Sequence, residues 1–560
     1  MLPQTISTRV SQDAIGKVTR LFNNTIDDVL AELFQNARRA GASRVTLETR
    51  IEDNVLWLGV TDNGSGIADP SVLLSLGQSD WDKSLKARED PAGMGVFSLA
   101  GRRAEITSRA KGSGKGWRIA IATDDWESAA PIAVIETAHP VGTTIRFVLD
   151  PLWRDRLEPV ARNAALYAPI EVSLNGAKQP NKQWLAEAEA IVERDGVRIG
   201  IYRRSRMFNP AASINFHGVT VACRLPGVSE PDRHWTALID IVDAPQIQLV
   251  LPARKEVVDN AALASLRTAV AIAIYEHIRG LGTHRLSYRD WCHARDLGVD
   301  LPEATPHLNP WTPTQADSDS DLSHGRPPLT GEPILMCEFG AALEQCAAFA
   351  LAKEERFAGR LADLDPPMQG YGWYDALPRV TGMHFAFELN GAISTFDAGD
   401  DVPEIESGPV DGLTLFVEVS AATTETFTVP APVAIIFDDG WHCYLEDARI
   451  VFASPKLISA NELVDLLEGT CFSPSTERDA DSWETQHDHF IADAREIATS
   501  LLEGEDAALI EKARNILEER VRWFIPKGRT LHAAIGHDGL ELRLDPASPA
   551  TGAEVIEEGP

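Results

Sequence analysis

Between Thr25 and Val60 the hydrophobic period changes from helical to strand-like, and that change constrains what the start of the chain can build. Ile26, Leu30, Leu33, Ala37 and Ala40 recur at intervals of three and four, laying one apolar stripe along a helix over 25–40. Gly41 supplies its stop. "RVTLETRI" and "VLWLGV" follow as strands joined by the polar turn "EDN", which predicts a hairpin. Further on, "AEITSRA" and "WRIAIATD" flank "KGSGKG" as a second hairpin, and "GTTIRFVL" closes the segment. The pattern predicts a mixed, mostly antiparallel sheet with helices on one face.

The 560 residues are too many for one core and divide into units of different composition. Residues 1–150 carry the sheet just described. Residues 151–303 hold four strand-like pieces, the segment "IQLVLPARKEVVDN" and a long helix, a second α/β unit. Residues 304–333, rich in Pro, Asp and Ser, read as a linker. Residues 334–475 alternate as a β-rich domain, and 476–560 read as two helices broken at "EGED", with a closing hairpin turning at Asp538-Gly539. The fold class expected is α+β.

The net charge of −31 is not spread evenly. Residues 1–300 hold 36 Lys+Arg and 36 Asp+Glu, whereas 301–560 hold 16 and 47. An acidic surface repels phosphate backbones, which argues against nucleic acid as a partner and for solubility. The six cysteines are scattered, without the close pairs of a zinc or redox site. No uninterrupted apolar run of the length that spans a bilayer and no leader-like N-terminus stands in the sequence, so no membrane partner is expected and the cytoplasm is the expected location.

The chemistry gathers in three places. Glu32 and Asn36, at i and i+4, share one helical face. On a pocket wall, the Asn36 amide oxygen suits a hard cation and the Glu32 carboxylate suits a proton from water. "DNGSGI" follows a strand, so Asp62 is placed to accept from an exocyclic amine while Gly64 and Gly66 let a flat ring approach the backbone. "GMGVFSLAG" puts Gly93 and Gly95 at the expected start of a helix, where free N–H groups suit phosphate oxygens. The polar stretch between these loops suits a lid.

In this order, "ELFQNARRAGA", "DNGSGI", "GMGVFSLAG" and "GTT" at Gly142 to Thr144 resemble the four motifs of the GHKL ATPases, the superfamily of gyrase B, the ninety-kilodalton heat-shock chaperone, histidine kinases and MutL. The resemblance implies a Bergerat-type α/β sandwich that binds ATP and Mg²⁺. It implies that Glu32 activates the attacking water and that Asn36 is the metal ligand. Asp62 would bind the adenine amino group, supported by Gly64, Gly66, Ile67 and, through water, Thr143. Gly93, Met94, Gly95, Val96 and Phe97 would wrap the phosphates, whereas Lys83 and Lys86 fall in no motif and read as solvated. Histidine kinases carry an amide at the position of Glu32, so the acid favours hydrolysis.

"LPARKEVVDNAALASLR" resembles the transducer or middle domain of the same proteins, which implies that Arg254 or Lys255 reaches the γ-phosphate. The whole resembles a slow ATPase that works as a conformational switch, chaperone-like or remodelling, with an ATP-dependent homodimer and a protein client. Two alternatives are a non-hydrolysing, nucleotide-dependent protein-binding module and a DNA-remodelling ATPase of the MutL or MORC type. The acidic C-terminal part shows no Toprim-like, endonuclease or zinc signature. Its "WHCY" and "HDH" point their ligand-type residues to different faces.

Overall fold

The helix expected over 25–40 forms as α1 (Ile26–Arg39). Thr25 caps it, its Oγ1 accepting the Asp28 N–H at 3.2 Å. Asp27 and Asp28 in the first turn and Arg38 and Arg39 in the last each oppose the helix dipole. The structure, a computed structural model, describes residues 25–74, 95–128, 131–204, 212–250, 256–317, 327–329, 331–397, 403–437, 444–477 and 480–545. They fall into two units, Met1–Thr305 and Pro306–Pro560.

In the first unit β1 (Arg44–Glu52) and β2 (Val55–Asp62) pair antiparallel across Asp53 and Asn54, both with positive φ as a tight hairpin turn requires. β3 (Ala104–Arg109), β4 (Gly116–Ile121), β5 (Ile135–Thr137) and β6 (Gly142–Val148) complete the expected strands. The sheet does not end there. β7 (Glu171–Leu174) joins β1 in parallel, from Arg44↔Glu171 to Leu47↔Leu174, and β8 (Ala177–Lys178) follows it. The order is β5-β4-β3-β6-β2-β1-β7-β8. α2 (Leu157–Ala165) buries Leu157, Val160, Ala161 and Ala165 in the same core as Leu30, Leu33, Leu47 and Leu58. The boundary expected at 150 therefore falls inside this core. Without β7, β1 would present an open edge of unpaired N–H and C=O groups.

A second sheet holds β9 (Ala190–Arg194), β10 (Val197–Arg204), β11 (Ile214–Phe216), β12 (Val219–Val221) and β14 (His234–Ile241) in the order β12-β11-β14-β10-β9, with β13 (Val228–Ser229) on β14. α3 (Ala261–Leu281) is the one described helix long and apolar enough to cross a bilayer. It lies instead on this sheet, with Leu266, Val270, Ile274 and Ile278 buried. α4 (Tyr288–Asp296) follows.

In the second unit β15 (Ile334–Met336), β16 (Leu361–Asp363), β17 (Arg379–Leu389), β20 (Gly412–Ser420) and β21 (Thr424–Pro430) form a sheet in the order β16-β15-β17-β20-β21, with β18 (Ala392–Phe396) on β17. β19 (Gly408–Pro409), β22 (Val433–Ile436) and β23 (Arg449–Phe452) make a smaller one. The region expected to be β-rich also carries α5 (Ala341–Leu351) and α6 (Ala460–Cys471) in its core. α5 buries Leu343, Cys346, Ala347, Ala350 and Leu351, leaving little polar contrast for a helical period to show.

The segment expected as a linker is partly anchored here. The Trp311 N–H donates to the Leu361 carbonyl at 2.9 Å, and Thr314 donates its N–H and Oγ1–H to buried Glu344 at 2.8 and 2.9 Å. Nor does a domain end at 475, since α7 (Trp483–Glu503) sets Ala494 and Ala498 in the same core. α8 (Glu505–Arg520) and the hairpin β24 (Leu531–Gly536) and β25 (Gly539–Leu544) follow. Gly536 pairs with Gly539, so the loop is His537-Asp538, one residue earlier than expected.

Candidate nucleotide site

Asp62, Thr143 and Ser108 stand side by side on three adjacent strands, β2, β6 and β3, through the pairs Asp62↔Thr143 and Ser108↔Thr143. Asp62 Oδ1 accepts the Gly64 N–H at 2.8 Å. Burial pushes the Asp62 carboxyl above the usual carboxylate range, while the N–H groups of Gly64 and Thr143 and nearby His139 pull the other way. Ser108 is fully buried. Its Oγ donates to the Gly142 carbonyl at 3.0 Å and accepts the Ile67 N–H at 2.9 Å. The Thr143 hydroxyl, 3.0 Å from it, is left to donate. Behind Thr143, Thr144 Oγ1 meets Thr61 Oγ1 and His139 Nε2, both at 3.0 Å.

The loop after Asp62 is pinned on two sides. Asn63 Oδ1 accepts the N–H groups of Ser43 and Arg44, each at 3.0 Å. The Ser65 N–H donates to the carbonyl of Ala40, the C-cap of α1, at 2.8 Å. Glycine is required by contact. A Cβ at Gly64 would sit 2.7 Å from the Ala40 Cβ, and one at Gly66, where φ is +70°, would sit 2.0 Å from the Arg109 carbonyl oxygen. Gly66→Ala is therefore expected to lower stability by about 2 kcal/mol or more and to weaken nucleotide binding, read by thermal melts with and without ATP.

α1 brings Glu32 and Asn36, both half-buried, to within two turns of that loop. Arg39 Nη1 approaches Asn36 Oδ1 at 3.5 Å. Between them, buried Gln35 donates from Nε2 to the His217 carbonyl at 2.8 Å, and its Oε1 accepts from Arg38 Nε at 3.2 Å. His217, with φ +53°, forms the turn between β11 and β12. The helix that carries the acid and the amide is thereby tied to the second sheet.

No family model matches the chain. It is 30% identical over 125 residues to the DNA mismatch repair protein MutL of Shewanella pealeana, covering 21% of this chain and 20% of that protein. It is 33% identical over 125 residues to MutL of Shewanella woodyi, with the same coverage. This similarity to MutL supports the resemblance of the N-terminal region to the GHKL superfamily. The match spans about a fifth of the length of these relatives. Among solved structures, the chain is similar to the N-terminal domain of a DNA repair protein, at 14% identity and TM-score 0.30, covering 46% of this chain and 94% of that one. It is also similar to the ATPase region of Saccharomyces cerevisiae topoisomerase II, at 11% identity and TM-score 0.31, covering 41% and 76%.

The N-terminal domain departs from expectation at the third motif. Gly95–Leu99 is a single 3₁₀ turn, not the start of an α-helix, and a positive φ at Gly101 prevents its extension. Val96 and Phe97 are buried in the core, with Phe97 edge-on to Trp126 at 6.3 Å, so only their main chain remains for phosphates. Ile67 likewise contributes its main chain, which accepts from Trp117 Nε1 at 2.9 Å.

Gly93, Met94, Lys83, Lys86, Arg254, Lys255, His442 and Cys443 lie outside the described residues. The flanks of 251–255 pair through Leu249↔Val257, and the Val250 N–H donates to the Glu256 carbonyl at 2.8 Å. In the C-terminal unit His487 Nε2 lies 2.9 Å from Glu468 Oε1, with its ring stacked on Trp483.

Two site-region residues escaped the sequence reading. Ser108 follows Ala104 and Ile106 in the inward alternation of β3, and a hydroxyl at such a buried position is the signal that marks it. Gln35 follows Phe34 in α1 and precedes polar Asn36, and its 4% exposure shows only once the second sheet is in place.

Proposed function

We propose that the GHKL domain binds ATP with Mg²⁺ and hydrolyses it slowly, and that the cycle switches the shape of a cytoplasmic, chaperone-like or remodelling protein. The row of Asp62, Thr143 and Ser108, locked to the end of the helix that carries Glu32 and Asn36, is the observation that carries this reading. The Asp62 carboxylate accepts the exocyclic amine of adenine, and the Thr143 oxygen accepts from a bridging water. Glu32 takes the proton of the attacking water.

The residues present fit a magnesium ion. Asn36 supplies a hard amide oxygen and Glu32 stands one turn away, enough for an ion that keeps most of its waters and binds with phosphates. Held by Asn36, the ion would supply positive charge against the phosphates. The Arg39 guanidinium must leave the Asn36 oxygen for this to occur. Arg39→Ala is accordingly expected to raise the Mg²⁺ affinity of the ATP-bound protein about two- to tenfold, measured by Mg²⁺ titration against a fluorescent ATP analogue.

Movement of α1 on nucleotide binding reaches the second sheet through the bond from Gln35 to His217. Closure in this reading also brings two N-terminal segments together as an ATP-dependent homodimer, and Arg254 or Lys255 to the γ-phosphate. Calorimetry with ATP and phosphate-release assays, each with and without Mg²⁺, test the proposal. Absence of binding at about 1 mM ATP sinks it. A DNA-remodelling role is the second reading, favoured by the similarity to MutL, and the expectation against nucleic acid gains no support from those relatives. Salt-dependent retention on DNA distinguishes the two.

A further inference from the structure

The turn "KGSGKG" between β3 and β4 stands outside the proposed nucleotide site and borders a cavity of about 700 Å³. Arg109, Gly114 and Lys115 line it from that hairpin, and residues 136–140 line it from β5 and the loop after it. Side chains alternate between the two faces of a sheet. On β3, Ser108 is buried with Ala104 and Ile106, so Arg109 is turned to the opposite face. On β6, Thr144 is turned there while Thr143 is buried. The cavity therefore lies across the sheet from the row of Asp62, Thr143 and Ser108.

Arg109 is a half-buried cation without a counter-ion. Its Nε is shut from solvent and meets no acceptor, and among the described residues no carboxylate pairs with its guanidinium. A donor left dry in this way is costly, and more so when it carries charge. A carboxylate or phosphate group removes that cost, because its two oxygens match the planar fork of a guanidinium with parallel N–H···O bonds.

The other lining groups admit such a guest. Glu136 is already paired with Lys115, so its carboxylate does not stand unopposed against an anion. Gly114 presents main chain alone, which lets a ligand approach closely. His139 is committed. Its Nδ1 is 2.7 Å from the Pro140 carbonyl, which can only accept, so Nδ1 carries the proton and Nε2 of the neutral ring accepts from Thr144 Oγ1 at 3.0 Å. The imidazole shapes the cavity and leaves Arg109 to supply the charge. The volume falls within the roughly 300–1,000 Å³ of small-molecule sites and exceeds what a bare ion fills, so the anionic group belongs to an organic molecule.

We infer that this cavity binds a small organic oxyanion, a carboxylate or a phosphate ester, through the Arg109 guanidinium, on the face of the sheet opposite the row of Asp62, Thr143 and Ser108. The inference stands apart from the ATPase reading, since it requires no nucleotide.

Calorimetry and thermal melts on the full chain test it, with citrate and glucose 6-phosphate as probes and glucose as the uncharged control. At least one probe should bind with a Kd of about 1 mM or tighter and raise the melting temperature, whereas glucose should do neither. A response to citrate alone assigns a carboxylate, and one to glucose 6-phosphate alone a phosphate ester. Arg109→Gln should weaken that binding about tenfold or more. Without ligand the variant should melt no lower than the parent, because the guanidinium it loses has no partner, which separates a lost site from a lost fold. ATP at saturation should leave the probe bound. No binding of either probe at about 10 mM, equal binding by Arg109→Gln, or displacement of the probe by ATP would overturn the inference.

Discussion

Glu32→Ala is expected to bind ATP about as tightly as the parent chain and to release phosphate about 10²- to 10⁴-fold more slowly, the range that a positioned general base contributes. Glu32 lies on the face of α1 that also carries Asn36 and is two turns from the Ala40 carbonyl that holds the Ser65 N–H. Removing its carboxylate leaves the Asp62 row untouched. A parallel loss of binding and turnover would show instead that the acid supports the pocket. Unchanged turnover would assign the proton to another group and leave Glu32 as a solvated residue of a helix face.

The second large effect is at Asp62. Asp62→Ala should weaken ATP binding about 10- to 100-fold, the loss expected for a hydrogen bond to a charged group. pH should act through the same carboxylate. Its folded pKa lies above the ordinary value near 3.9, because burial outweighs the N–H groups of Gly64 and Thr143.

ATP affinity should therefore fall as pH drops through that raised value, earlier than an exposed carboxylate would allow. Stability runs the opposite way. The folded state holds the Asp62 proton more tightly than the unfolded state, so this group favours folding below about 3.9 and loses that contribution as pH rises through the folded pKa. Asp62→Asn removes the titration. It should melt no lower than the parent near neutral pH while binding ATP poorly, a trade that calorimetry and thermal melts at several pH values measure. An affinity profile for the parent that matches the variant's would remove Asp62 from the adenine site.

The first core was legible because its signals are local. The stripe through Ile26, Leu30, Leu33 and Ala37, the Asp53-Asn54 turn and the alternation in β1 to β4 each depend on neighbours within a few residues. The same holds for the four motifs, whose order along the chain pointed to the GHKL superfamily before any geometry was known. Boundaries were not local. That β7 closes the edge of β1, and that Trp311 and Thr314 anchor the start of the second unit, depend on partners 30 or more residues away. α5 stayed hidden because burial on nearly all sides erases the contrast a helical period requires.

What the sequence by itself determined is the chemistry: an acid and an amide on one helix face, a carboxylate ending a strand, and glycines where a ring or phosphates approach. Only the tertiary structure decided that Ser108 joins Asp62 and Thr143 in one row, that Gln35 ties the helix to the second sheet, and that Val96 and Phe97 serve the core. The reason is physical. A residue's chemical type is written in the chain, but which groups share a pocket is set by strand register and by the contacts that bury or expose them, and both arise between segments far apart in sequence.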